Sequence, residues 1–73
     1  QYDKALELHF EALQLRENSG DAFGIATSLT NIGFVYYKLR NYEKAIQYYE
    51  KAMFIREGLE NKTDLEILYI NSA

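Results

Sequence analysis

The chain has 73 residues, 48% hydrophobic and 26% charged, a balance that fits one small soluble globular unit and leaves no room for two. A net charge of −3 and a pI near 5.0 argue against the basic face that nucleic acid or an acidic membrane requires. The absence of cysteine excludes a disulfide framework and a thiolate zinc site.

A lone His9 cannot assemble a metal centre, so neither a metal nor a cofactor is expected, and the cysteine-free composition suits a reducing, cytoplasmic setting. The longest apolar stretches, such as Ile32 to Tyr37, fall far short of the roughly 20 residues that span a bilayer. No charged-then-apolar leader opens the chain. Below roughly 70–80 residues a single core rarely supplies more than about 3–5 kcal/mol, so contacts beyond one hairpin are expected to contribute.

The first element, about 2–18, is best read through its recurrence forty residues later. Laid on Tyr42 to Glu57 without a gap, Tyr2 to Glu17 matches identically at Tyr2/Tyr42, Lys4/Lys44, Ala5/Ala45, Ala12/Ala52, Arg16/Arg56 and Glu17/Glu57. Asp3/Glu43, Leu6/Ile46, Leu13/Met53 and Leu15/Ile55 are conservative. The same offset pairs Asp21 with Asn61, Ile25 with Leu65 and Asn31 with Asn71, so both ends of the chain fall inside a repeat and a longer array is expected. The units are 2–19, the second helix of one repeat; 21–60, one complete repeat; and 61–73, the start of the next.

Asn18-Ser19-Gly20-Asp21 is a turn cluster in which Gly20 can take positive φ and Asp21 can cap the next helix, predicted over about 22–39. Leu39-Arg40-Asn41 is too short for anything but an antiparallel hairpin. Gly33 is tolerated inside a helix, at about 0.8–1 kcal/mol relative to alanine, because it lets the facing helix approach. Asn41 is the expected cap of a third helix, about 42–59, in which Tyr42, Ala45, Ile46, Tyr49, Ala52, Met53 and Ile55 recur at helical spacing opposite Glu43, Lys44, Gln47, Glu50 and Lys51. Thr63 followed by Glu66 forms a capping-box pattern, from which a fourth helix, 64–73, is expected.

Leu29, Ile32-Gly33, Tyr36, Tyr42, Ala45, Tyr49, Ala52 and Met53 resemble the large–small–aromatic signature of the tetratricopeptide repeat, in a longer variety of about forty residues rather than thirty-four. Glu57 departs from the pattern, standing where many members carry proline. The resemblance implies an all-α fold, antiparallel helix hairpins stacked as a short right-handed solenoid, that binds a peptide or helix of a protein partner in a concave groove. The groove helix would be 22–39, with Thr27, Thr30, Asn31, Phe34, Tyr37 and Lys38 facing the ligand. Asn31 matches an asparagine that often bonds a ligand's backbone, and Asn71 would repeat it. The carboxylate clamp of the chaperone-binding members is not reproduced, since Thr27, Thr30 and Phe34 stand in the groove instead.

Other residues carry blander readings. His9 matches Tyr49 and is expected to pack inward without a catalytic or ligand role. Glu7 and Glu11 lie one turn apart but lack a nucleophile, cleft or metal partner in the sequence, and Gly20 and Gly24 have neither the strand nor the lysine of a phosphate loop. No catalytic residue is expected. Phe10 aligns with Glu50 and Phe54 with Gln14, so both are candidates for contact between units or copies. Two functions stand side by side: a partner-binding scaffold, and a structural spacer or self-association segment.

Overall fold

The computed structural model describes the backbone of residues 1–72 and the side chains of residues 1–59. Three helices make up the fold: α1, Tyr2–Ser19; α2, Ala22–Lys38; and α3, Tyr42–Ser72. The described residues contain no strand. α2 packs against both neighbours, whereas among the described residues the backbones of α1 and α3 do not come within 8 Å, Cα to Cα.

The two turns are closed in the same way. Gly20 takes φ 72°, its N–H donates to the Glu17 carbonyl (3.2 Å), and the Asp21 N–H reaches the Arg16 carbonyl (3.1 Å). Asp21 then accepts from the Gly24 N–H through Oδ1 at 2.9 Å and starts α2. At the second turn Arg40 takes φ 63°, the Arg40 N–H donates to Tyr37 (3.0 Å) and the Asn41 N–H to Tyr36 (2.9 Å). Asn41 caps α3 by accepting from the Lys44 N–H at 3.3 Å. A side-chain-bearing residue in this left-handed conformation costs roughly 1–2 kcal/mol, so the hairpin contacts beyond the turn must offset it.

The expected fourth helix is not separate: α3 continues from Tyr42 through the predicted start at 63. The repeat offset supplies the reason. Position 60, the counterpart of Gly20, is a glutamate, and no proline interrupts the run, so the left-handed glycine that ends α1 has no equivalent at that position. The Thr63/Glu66 pattern is a local signal only, and it yields to the continuing hydrogen-bond ladder.

α2 carries the core. Ile32 and Ala26 are wholly buried, with Leu29, Val35, Ala45 and Ala52 nearly so. Full burial of a side chain the size of Ile32 contributes about 1.5–3 kcal/mol. Gly33 sits at the α2–α3 crossing as expected, its bare Cα facing the Tyr49 ring and the Ala45 carbonyl. Tyr36 stacks on Tyr48 at 5.6 Å between centroids, and Tyr48 meets Phe10 edge-on at 6.0 Å, the aromatic bridge between α1 and α3.

Candidate functional site

Helical spacing sends positions 23, 27, 30, 31, 34, 37 and 38 of α2 to the side away from the core. Phe23, Asn31, Phe34, Tyr37 and Lys38 are exposed and Thr27 and Thr30 half-exposed, so the structure brings every expected groove residue of α2 onto one stripe. Asn71 lies outside the residues whose side chains are described. Phe23, 67% exposed at the head of the stripe, is an addition that the repeat comparison did not single out. Its spacing of four from Thr27 was the signal.

The polar chemistry of this stripe is uneven. Thr27 Oγ1 donates to the Phe23 carbonyl at 3.1 Å and Thr30 Oγ1 to the Ala26 carbonyl at 2.9 Å, so both hydroxyl protons are spent within the helix and the threonines can only accept. The Asn31 side chain makes no hydrogen bond within the described residues and keeps both donor and acceptor available at mid-stripe. Lys38 Nζ lies 5.3 Å from the Phe34 ring centroid, a cation held over an exposed aromatic face. Tyr37 meets Tyr42 edge-on at 5.6 Å, which fixes the end of the stripe against the start of α3.

On the opposite side of α2 a cleft of about 680 Å³ opens between α1 and α3. Ile25 and Leu29 floor it, and Phe10, Tyr48, Phe54 and Ile55 form its walls. Phe10 is only partly exposed because of its contact with Tyr48, whereas Phe54 is 79% exposed. The two phenylalanines therefore face a common cleft but differ in what they leave open. Burial raises the Tyr48 phenol above its ordinary pKa, and the neighbouring Tyr36 adds to the effect.

The clamp that ties α1 to α2 escaped the sequence reading. Arg16 Nη1 donates to the Gly24 carbonyl at 2.9 Å and to Ser28 Oγ at 2.7 Å, satisfying the one buried polar side chain among the described residues. Gly24 makes room for this arginine: a Cβ there would run into the Asp21 carboxylate and lie 2.8 Å from Arg16 Cδ. The identity of Arg16 and Arg56 across the repeat was the available hint.

Glu7 and Glu11 are exposed, and the Lys4–Glu7 contact of 3.8 Å is a solvated surface pair of small energetic weight. Among the described residues no group of three or more His, Cys, Asp or Glu side chains could hold a metal ion, and no helix is long and apolar enough to cross a membrane.

An all-helical chain in which consecutive helices pack on one another and α2 shares its flanks with the helices before and after it belongs to the class of helix-hairpin repeats that stack into solenoids. The family model described as tetratricopeptide repeat matches residues 1–58, and the chain belongs to that family. Members of the family generally mediate protein–protein interaction and are typically non-catalytic. No solved structure matches the chain at a significant level.

Proposed function

We infer that this chain is a protein-binding segment whose ligand lies along the exposed stripe of α2, from Phe23 through Thr27, Thr30, Asn31 and Phe34 to Tyr37 and Lys38. The observation that carries this reading is Asn31, an amide without a side-chain hydrogen bond among the described residues, set between two exposed aromatic rings on the helix that otherwise forms the core. An extended peptide presents backbone N–H and C=O groups that one asparagine can meet together, while its apolar side chains cover Phe23 and Phe34. Lys38 favours an acidic residue at the adjoining end. Neither nucleic acid nor a membrane fits the net charge of −3, and the cysteine-free chain suits the cytoplasm.

Selection of a random peptide library on the immobilised chain, with counter-selection on an Asn31→Ala/Phe34→Ala variant of unchanged helicity, tests this. Peptides that carry apolar and acidic residues and lose at least tenfold in affinity on the variant support the stripe; selected peptides that bind both proteins equally overturn it.

Self-association is a second reading, favoured by the repeat itself. Leu8 and Leu15 are exposed on α1, whereas their counterparts Tyr48 and Ile55 are half-buried; Ile46 and Met53 are exposed on α3, whereas Leu6 and Leu13 are half-buried. Each open flank is thus one that α2 covers in the other unit. Association that covers these flanks makes the mass in solution rise with concentration.

A further inference from the structure

The open flank of α3 has its template inside the chain. On α1, Leu6 and Leu13 are half-buried and Arg16 grips Gly24 and Ser28 of α2. Forty residues on, Ile46, Met53 and Arg56 repeat that surface, yet all three are exposed. Arg56 has neither a hydrogen bond nor an ion pair among the described residues.

The segment that corresponds to the start of α2 is 61–72, and it carries Asp64 where Gly24 stands. The Arg16 clamp holds two acceptors, the Gly24 carbonyl and Ser28 Oγ; in the repeat Leu68 replaces the serine and Asp64 the glycine, so a Cβ closes the approach to the carbonyl and a carboxylate side chain is offered to the arginine instead. α3 runs unbroken past position 60, however, so at about 1.5 Å per residue position 64 lies about 12 Å along the axis from Arg56, and position 68 about 22 Å from Met53. In this continuous helix the segment cannot cover its own chain's flank.

We propose that two copies of this chain exchange these segments: residues 61–72 of each lie antiparallel on the Ile46–Met53–Arg56 flank of the other, with Arg56 paired to the partner copy's Asp64. This rests on the self-association reading and names its surface. Carried over from Arg16 and Gly24, the register sets Arg56 against position 64, and the antiparallel run of the two helices then brings Met53 to about position 68, so both pairings centre near position 60. A two-fold axis there makes each copy donor and acceptor at once, closes the assembly at two chains, and leaves the two hairpin bodies at opposite ends of the paired helices.

Sedimentation equilibrium of the full 73-residue chain and two charge-reversed variants tests the exchange. The unaltered chain is expected to form dimers. Arg56→Glu chains alone and Asp64→Arg chains alone each set two like-charge pairs against each other and dissociate at least tenfold more readily. Mixed one to one, they match both pairs and return to dimers. A milder pair of substitutions guards against misfolding: Met53→Cys and Leu68→Cys chains, in a protein with no cysteine of its own, are expected to be joined by a short bis-maleimide only when mixed. Dimers that survive both reversals unweakened, or that give no cross-link in the mixture, overturn the exchange while self-association through another flank stands. A monomer at every concentration overturns both.

Discussion

Tyr49 lies against the bare Cα of Gly33, so near that a Cβ built on Gly33 would stand 3.0 Å from two carbons of the ring and 3.2 Å from the Ala45 carbonyl oxygen. The ring can tilt, but the carbonyl is held in the α3 backbone ladder, so Gly33→Ala pushes the two helices apart. The gain of about 1 kcal/mol in helix propensity is outweighed by an overpacking cost of about 1–3 kcal/mol. A net loss of about 1 kcal/mol is expected, read as a lower thermal midpoint. An unchanged or raised midpoint would show that α3 gives way freely.

Arg40 adopts at the second turn the conformation that Gly20 adopts at the first. Arg40→Gly relieves left-handed strain of roughly 1–2 kcal/mol and gives back part of it as chain entropy, so a gain of about 0.5–1 kcal/mol is expected. Gly20→Ala, with nothing near its Cβ but φ 72°, loses about 1 kcal/mol. Denaturant midpoints of the two variants moving in the same direction would contradict the strain argument.

The Arg16 clamp is open to a double-mutant cycle. Arg16→Met removes both cross-helix bonds and leaves the buried Ser28 hydroxyl without that partner, an expected loss of about 1–3 kcal/mol. Ser28→Ala on top of it is nearly neutral, since no polar group is then stranded. Additive losses in urea unfolding would place the weight of Arg16 in its aliphatic packing instead.

How much of this was legible follows from the kind of signal each feature leaves. Gly20, Asp21, Asn41 and Gly33 act through their own backbone position, and residue type alone announces them. The clamp from Arg16 to Ser28 joins residues twelve apart on different helices, a separation with no periodic trace. The continuation of α3 past 63 went against a capping pattern, because the absence of glycine at position 60 outweighs a favourable Thr63. Asn31, Phe34 and their companions came from likeness to a family; their shared exposure could be read only after α2 was seen between two neighbours.

Tyr48 gives the fold a pH dependence at the alkaline end. Its phenol is raised above 10.0 in the folded chain, so the folded state holds the proton more tightly than the unfolded one. The resulting stability is fully present below the unfolded pKa of about 10 and is lost as pH rises through the folded value. Thermal midpoints are expected to fall more steeply above about pH 10 in the unaltered chain than in Tyr48→Phe. Parallel curves would place the alkaline loss elsewhere.

The central claim, that ligand lies on the α2 stripe, is tested most directly by backbone amide NMR of the isotopically labelled chain titrated with a library-selected peptide. The largest shifts are expected at Phe23, Thr27, Asn31, Phe34 and Lys38, with the walls of the opposite cleft at Phe10 and Phe54 little moved. Shifts concentrated at Phe10, Tyr48 and Phe54, with α2's outer face silent, would contradict the claim and move the binding surface to the cleft between α1 and α3.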